Sequence, residues 1–257
     1  MWEAFCQIMA NIVAVFYGPV QDWGMAIILV TIVFRLIITP LTVGQTKSSY
    51  QMQKITPKIN QIKERFPDDT ARQNEEIQKL YADAKYNPLA GCVPMLLQMP
   101  IFIALFTVLR NIGDYITTST TFTFYNIIPD LLLTPSDTFA QGFGPFIPYL
   151  ILMLIFALVT FLPMVLTQLN SPASSQRTQM FVMAGVMSIM MLWISWGSPA
   201  GVLLFWGVSS IIAVIQQQVV TTSLKRKDSQ AEEELAEQQV IVDVERKAKK
   251  KRPTKKR

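Results

Sequence analysis

The stretch "MAIILVTIVFRLIITPLTV", residues 25–43, contains a single ionisable side chain, Arg35, at its eleventh position. Nineteen residues of α-helix cover roughly 28 Å, which is close to the thickness of the hydrocarbon core of a bilayer. The stretch therefore predicts a membrane-spanning helix with an arginine near its middle. Because a charged side chain at that depth costs roughly 2.5–3.5 kcal/mol on insertion scales, Arg35 needs a physical reason to be there.

The rest of the chain is also unusually apolar. Of its 257 residues, 51% are hydrophobic and 16% are charged, whereas about 25% of the residues of a soluble domain are charged. The charged residues are clustered, which leaves five nearly uncharged stretches of about 18 residues or more, each long enough to cross a bilayer. We therefore predict an all-α polytopic membrane protein with five transmembrane helices.

The distribution of Lys and Arg predicts the orientation. Eight of them lie in residues 44–88, none lies in residues 111–145, and twelve follow the last span. The positive-inside rule therefore places the N-terminus outside and the C-terminus in the cytoplasm. The predicted segments are an extracytoplasmic interfacial amphipathic helix (1–22), the first span (23–43), a cytoplasmic helical hairpin (44–88), the second span (89–110), an extracytoplasmic loop (111–145), the third span (146–168), a cytoplasmic loop (169–177), the fourth span (178–196), an extracytoplasmic turn (197–199), the fifth span (200–221) and a basic cytoplasmic tail (222–257).

Two of these segments allow a second interpretation. The N-terminal helix has Trp2 suited to the headgroup level, but it could instead be an additional span. The hairpin has an apolar face from Met52 to Phe66, and the pair Thr70 and Gln73 predicts a capping box at the start of its second helix. This hairpin is either a solvated spacer or a docking element for a cytoplasmic partner.

Several chemistries are excluded by the composition. The chain has no histidine, and its two cysteines, Cys6 and Cys92, stand in no metal-binding or redox spacing. No glycine-rich phosphate loop is present. We therefore expect a protein that is not an enzyme and that uses no metal and no cofactor.

Two explanations account for Arg35. The side chain can snorkel toward the cytoplasmic end of its helix, which lies about 12 Å away. Alternatively it faces a wet interior, because Thr31 lies four residues earlier on the same helix face and no predicted span contains an acidic residue. An unpaired buried cation must stay hydrated or bind an anion that comes and goes. The second explanation makes Arg35 a binding group for a transient partner.

Other polar side chains also fall within predicted spans. Gln98 lies in the second span, and Ser209 and Gln216 lie in the fifth. A single glutamine in a membrane helix usually binds a neighbouring helix. Several polar residues together with an arginine favour a hydrated interior instead. Gln98 is therefore either part of that interior or a packing residue.

Three stretches resemble one known family. The run "NPLAGCVPMLLQMPIFIALF" (87–106) resembles the second-span signature of the YidC/Oxa/Alb membrane protein insertases. The run "VTIVFRLIITPL" (30–41) resembles the first conserved span of that family, and "SPAGVLLFWGVSSIIAVIQQQ" (198–218) resembles its last span. Ser210 stands where that family has an asparagine. The chain resembles the compact bacterial form with five spans.

This resemblance implies both a fold and a function. Five spans would enclose a hydrophilic groove, in which Arg35 attracts the acidic segment of an incoming protein and Thr31 helps to keep the groove wet. The hydrophobic segment of the substrate would leave along the third and fifth spans, where Trp206 lies. We assign substrate binding to Arg35, Thr31, Gln98, Trp206, Ser209 and Gln216. The alternative functions are a small-anion transporter and a structural subunit of a translocase.

The resemblance also implies partners and a location. We expect a multi-pass protein of the bacterial plasma membrane that acts on nascent membrane proteins, alone or with the Sec translocon, and that is functional as a monomer. The basic tail would bind either ribosomal RNA or anionic lipids through phosphate contacts. Its candidate partner-binding residues are Lys249, Lys250, Lys251, Arg252, Lys255 and Lys256.

Overall fold

The computed structural model describes residues 1–84, 86–87, 93–116, 121–169 and 175–250, with side chains throughout except at 93–95, 97, 112–113, 162–181, 183–184 and 236–250. The only β-pairing in this part of the chain is an isolated bridge between Phe124 and Ile128. The prediction of an all-α membrane protein is therefore confirmed. The helices are α1 (Trp2–Val20), α2 (Trp23–Ile37), α3 (Thr39–Arg65), α4 (Thr70–Asp83), α5 (Val93–Arg110), α6 (Ile112–Tyr115), α7 (Pro135–Gln141), α8 (Phe143–Leu169), α9 (Ser175–Trp196) and α10 (Ala200–Lys250).

Several of these helices are long and apolar enough to cross a membrane. Within the described residues, α1, the first part of α8 and the first part of α10 meet this criterion, and α2 with α3 meets it as a bent pair. Shorter apolar helices run over Gln98–Arg110 and Gly185–Trp196. Because α1 meets the criterion too, its length agrees with the interpretation as an additional span as well as with that of an interfacial helix.

Two helix boundaries differ from the predicted spans. The stretch 23–43 is divided at Ile38, since α2 ends at Ile37 and α3 begins at Thr39. Pro40 has no N–H to donate to Leu36 in a continuous helix, but it is tolerated in the first turn of a new one. At the other end, α10 continues past residue 221 to Lys250, because the stretch "AEEELAEQQ" consists almost entirely of strong helix formers.

The helices form two compact units. The first contains residues 1–45 and 87–216, and the second contains residues 46–86 and those from 217 onward. The core of the first unit is built from α1, α2, α5 and the start of α10. The buried Trp23 ring is stacked on Tyr17 with a centroid distance of 4.2 Å and lies 4.6 Å from the Phe122 ring, and both neighbours are partly buried against this core.

A loop over residues 121–134 holds the first turns of α2 and α10. The buried Asp22 carboxylate caps α2 by accepting the Met25 N–H at 2.8 Å, and its second oxygen accepts the Tyr125 N–H of the loop at 2.7 Å. On α10, the Gly201 N–H donates to the Leu131 carbonyl of the same loop at 2.8 Å. One loop therefore fixes where both helices start.

In the second unit α3 and α4 form the hairpin. The predicted capping residue Thr70 is wrong by one position, because the Asp69 carboxylate accepts the Arg72 N–H at 2.9 Å. The Gln73 side-chain amide, predicted to complete a capping box, instead donates to the Phe66 carbonyl. Asp69 is the N-cap residue in place of Thr70 because a charged carboxylate stabilises the positive end of a helix better than a hydroxyl does.

The second unit also contains a cluster that joins α3 to α10. Tyr50 and Lys54 lie one turn apart on α3 and both contact the same carboxylate oxygen of Asp228, the tyrosine hydroxyl at 2.6 Å and the lysine as an ion pair. The Lys54 ammonium also lies 5.1 Å from the centre of the Tyr50 ring. We call these three residues the paired cluster, because each polar group in it has a partner.

Candidate functional site

Arg35 lies on the last turn of α2, two residues before the helix ends. The side chains of Leu36 and Ile37 beside it are 64% and 69% exposed, whereas the Arg35 side chain is half-buried. In a membrane protein such exposed apolar side chains face lipid, so the arginine is turned toward the protein. The carbonyl of Arg35 accepts the Thr39 hydroxyl at 2.8 Å, which satisfies one of the free acceptors at the end of α2.

The guanidinium of Arg35 contacts α10. Its Nε donates to the Ser209 hydroxyl oxygen at 2.6 Å, and Ser209 is completely buried. Among the residues that the structure describes, no carboxylate forms an ion pair with Arg35. Within the described ranges, the guanidinium therefore has a neutral oxygen as its hydrogen-bond acceptor and no counter-ion.

A second polar contact lies about two turns further along α10. The Gln216 side-chain amide donates to the Thr39 hydroxyl at 2.8 Å, while the Gln216 carbonyl oxygen is buried and has no hydrogen-bond partner in the described part of the chain. Ser209 and Gln216 are seven residues apart and share one face of α10, while Thr39 begins α3 four residues after Arg35 and is joined to it by the hydrogen bond to the Arg35 carbonyl. We call these four residues the polar seam between α10 and the α2–α3 junction.

Thr31 and Gln98, two further candidate residues, differ in how deeply their side chains are buried. The Thr31 side chain is completely buried, and its hydroxyl donates to the Ile27 carbonyl of its own helix at 2.6 Å. The Thr31 hydroxyl therefore donates its hydrogen within α2 and, among the described residues, forms no hydrogen bond to the polar seam. Gln98 is half-buried on α5. Whether either residue meets a substrate stays a prediction.

Trp206 lies in an aromatic cluster formed by three helices. The centre of its indole ring is 4.7 Å from that of Phe102 on α5 and 5.2 Å from that of Phe156 on α8. The two phenylalanines hold the half-buried indole between α5 and α8. We call Trp206, Phe102 and Phe156 the Trp206 wall, and this apolar cluster is separate from the polar seam.

An apolar recess opens next to the Trp206 wall and shares Phe156 with it. It has a volume of about 240 Å³ and is lined by side chains of α8, α10 and the 121–134 loop. Ile151 and Ile155 on α8 and Ile211 on α10 line it and are 52%, 47% and 42% exposed. The sequence indicated the two helices but not the recess, because their facing surfaces come from residues far apart in the chain.

The tail residues fall outside this description. Lys249 and Lys250 end α10, and their side chains lie outside the described part of the structure, as do Lys251, Arg252, Lys255 and Lys256. Their assignment to ribosomal RNA or to anionic lipid stays a prediction.

Comparisons with known proteins agree with the resemblance found in the sequence. A family model described as "60Kd inner membrane protein" matches residues 15–228. A curated relative from Haemophilus influenzae (strain PittEE), named "Membrane protein insertase YidC", is 37% identical over 197 residues, which are 77% of this chain and 33% of that protein. A relative of the same name from Actinobacillus succinogenes is 36% identical over 196 residues, 76% of this chain and 33% of that protein. This chain thus spans about a third of the length of the curated relatives that it matches.

A solved structure is also similar to this chain. It is described as "Active YidC insertase crystal structure with the first transmembrane domain resolved". The similarity has a TM-score of 0.58 and a sequence identity of 25%, and it covers 85% of this chain and 46% of that chain. With the family match, it confirms the predicted resemblance to the YidC insertases.

Proposed function

Because this chain belongs to the 60Kd inner membrane protein family, we propose that it is a membrane protein insertase. It moves hydrophobic segments and short acidic tails of nascent proteins into the bacterial plasma membrane. The relatives are named insertases, and the fold resembles that of a YidC insertase. The proposal rests on the hydrogen bonding of the Arg35 guanidinium, which among the described residues donates only to the neutral Ser209 hydroxyl.

The polar seam supplies the part that receives the acidic tail. A guanidinium that is half-buried without a counter-ion gains more from an arriving carboxylate than one that is already paired. At an effective dielectric constant of 20, two charges about 4 Å apart attract each other by about 4 kcal/mol. This attraction offsets part of the penalty for bringing a carboxylate into the membrane. It is lost again when the acidic tail of the substrate leaves Arg35.

The apolar recess and the Trp206 wall supply the part that receives the hydrophobic segment. A segment of about 20 apolar residues is long enough to span the bilayer, and its transfer into lipid supplies most of the driving force. A membrane potential positive outside adds roughly 2.3 kcal/mol per negative charge for each 100 mV. These two terms drive insertion without a nucleotide.

The remaining features of the proposal follow from the sequence. The N-terminus lies outside and the C-terminus in the cytoplasm, as the distribution of Lys and Arg predicts. The protein works as a monomer, alone or beside the Sec translocon. Its basic tail binds ribosomal RNA or anionic lipid.

The experiment that tests the proposal uses the purified protein in vesicles without any other translocase. The substrate is a single-span protein with a short acidic outer tail. We expect insertion by the wild type, a loss of more than about 10-fold in Arg35→Ala because the carboxylate loses its attraction, and a rate within about 10-fold of wild type in Arg35→Lys. The control is Arg110→Ala, which removes an exposed arginine at the end of α5 and should leave the rate unchanged.

Two results would overturn the proposal. Equal insertion by all four proteins would show that the charge of Arg35 takes no part. No insertion by any of them, together with saturable uptake of a small anion that depends on Arg35, would favour a transporter.

A further inference from the structure

The contact between Arg35 and Ser209 uses one particular edge of the guanidinium. A guanidinium has five N–H donors in one plane, one on Nε and two on each terminal nitrogen. Because the Ser209 hydroxyl oxygen lies 2.6 Å from Nε, it occupies the side edge. In the described part of the chain, no residue accepts a hydrogen bond from the two terminal nitrogens. That end edge has the parallel donors that a carboxylate accepts in a bidentate pair.

The Ser209 hydroxyl has a hydrogen-bond partner on another helix, whereas the comparable Thr31 hydroxyl has its partner on its own helix. Serine and threonine in membrane helices commonly donate to the carbonyl four residues earlier. Thr31 does so, since its hydroxyl lies 2.6 Å from the Ile27 carbonyl. The Ser209 oxygen instead accepts a bond from a residue 174 positions away in the chain. A hydroxyl that served only to satisfy its own helix would not need this partner.

Both sides of the contact are held in place. Ser209 is completely buried, and the first turn of its helix is tied to the 121–134 loop through Gly201. On the other side, Thr39 donates to the Arg35 carbonyl and accepts the Gln216 amide. The backbone of Arg35 and one edge of its side chain are therefore fixed together.

We infer that Ser209 is a positioning residue for Arg35: by holding Nε, it turns the end edge of the guanidinium toward the incoming carboxylate. This inference rests on the proposed insertase function and deepens it. A charge alone would attract any anion, whereas an oriented end edge recognises the planar pair of oxygens of a carboxylate. Arg35 thus recognises acidic side chains by geometry as well as by charge.

The first experiment is a double-mutant cycle in the vesicle assay. Ser209→Ala should lower the insertion of an acidic-tailed substrate about fivefold, the effect of losing one hydrogen bond. Ser209→Thr keeps a hydroxyl and should restore most of the rate. The matched control is Ser210→Ala, the same change on the next residue, and it should remain at the wild-type rate. In an Arg35→Lys background, Ser209→Ala should have no further effect, because lysine has no planar edge to orient.

A second substrate separates positioning from a structural role. Its acidic residues are replaced by the corresponding amides, which keep their shape but lose their charge. Ser209→Ala should slow the acidic substrate and leave the amide substrate unchanged. Two results would overturn the inference and leave Ser209 as a packing residue: equal slowing of both substrates, or a loss from Ser209→Ala that is the same in the Arg35→Lys background as in the wild-type background.

A spectroscopic measurement tests the contact without any insertion. With ¹⁵N-labelled arginine in lipid nanodiscs, the Nε–H signal of Arg35 is assigned by its loss in Arg35→Lys. Ser209→Ala should shift this signal and speed its exchange with water, while Ser210→Ala should do neither. An unchanged signal in Ser209→Ala would overturn the inference. If the wild type inserts no substrate, the proposed function fails, but this measurement still decides whether Ser209 holds Arg35.

Discussion

The polar seam and the paired cluster each place a cationic side chain of one helix against an oxygen atom of α10, but the two oxygen atoms differ in charge. In the paired cluster, the Lys54 ammonium meets the Asp228 carboxylate, which also accepts the Tyr50 hydroxyl. In the polar seam, the Arg35 guanidinium meets only the neutral Ser209 among the described residues. The Lys54 side chain is exposed and Asp228 is partly exposed, at 50% and 37%. Arg35 is partly buried and lies beside the exposed apolar side chains of Leu36 and Ile37.

Among the described residues, a carboxylate partner is thus present at Lys54, where an ion pair contributes little, and not at Arg35, where it would contribute more. Exposed ion pairs are weakened by water and salt, while an unpaired cation inside the membrane is expensive. If stability alone had shaped the two sites, the carboxylate would be expected beside Arg35. The proposed function requires this difference, since a guanidinium with no carboxylate partner among the described residues can bind an acidic segment that arrives and leaves.

The largest expected effect comes from giving Arg35 a permanent partner. In Ser209→Asp a carboxylate would replace the neutral oxygen, which turns the polar seam into a second paired cluster. We expect insertion of an acidic-tailed substrate to fall by more than about 100-fold, because the new ion pair competes with the substrate for the same charge. The measurement is the initial rate in vesicles.

The control for this change is Ser210→Asp, which adds the same charge one residue away, where no contact to Arg35 is present among the described residues. It should retain most of the wild-type rate. Undiminished insertion by Ser209→Asp would contradict the comparison, because it would show that a paired arginine works as well as a free one.

Much of this architecture is accessible from the sequence. The lengths of the apolar stretches predicted membrane helices, and a lone charge among nineteen residues singled out Arg35. Spacing along one helix, however, gives only the direction of a side chain and not what lies opposite. Thr31 shares a face with Arg35 at four residues' distance, yet its hydroxyl bonds to Ile27 within its own helix.

The contacts that distinguish the two clusters could not be predicted in this way. Ser209 was a candidate because of its polarity, but its bond to Arg35 joins residues 174 positions apart. Tyr50 and Asp228 are 178 positions apart, and neither stands in a recognisable motif. Thr39 was missed, although its position four residues after Arg35 and directly before a proline was a usable signal. Pairing between distant helices depends on packing, which one sequence does not specify.

A smaller effect is expected from loosening the polar seam without changing its charge. Thr39→Val removes the hydroxyl that donates to the Arg35 carbonyl and accepts the Gln216 amide. We expect a loss of stability of about 1 kcal/mol, as for a typical hydrogen bond, and a decrease in insertion of a few-fold. Thermal unfolding and the vesicle assay measure the two effects.

The matched control for this change is Thr107→Val on α5. The Thr107 side chain is half-buried, and among the described residues its hydroxyl donates only to the Ile103 carbonyl of its own helix. The stability and the insertion rate should therefore both stay near those of the wild type. Equal effects of the two substitutions would show that the contact between Thr39 and Gln216 has no special part in holding Arg35.

The smallest expected effect on insertion comes from breaking the paired cluster. The Asp228 carboxylate raises the pKa of Tyr50 to about 12 from its ordinary value of 10.0, and Lys54, followed by Tyr50, lowers the pKa of Asp228. In Asp228→Asn we expect the pKa of Tyr50 to return toward 10.0, which is measured by ultraviolet titration against a Tyr50→Phe reference. Insertion should stay within about twofold of wild type, because an exposed pair contributes little.

The direction of both pKa shifts defines the pH range in which the paired cluster is complete. The raised pKa of Tyr50 means that its contribution is full below pH 10 and is lost as the pH rises toward about 12. The lowered pKa of Asp228 means that its contribution is present above the ordinary aspartate value of 3.8 and is lost as the pH falls through the lowered one. Asp68→Asn, at the exposed turn of the hairpin, should leave the Tyr50 titration unchanged. If Asp228→Asn instead stopped insertion at neutral pH, the paired cluster would be part of the insertion machinery, and the contrast with Arg35 would lose its functional meaning.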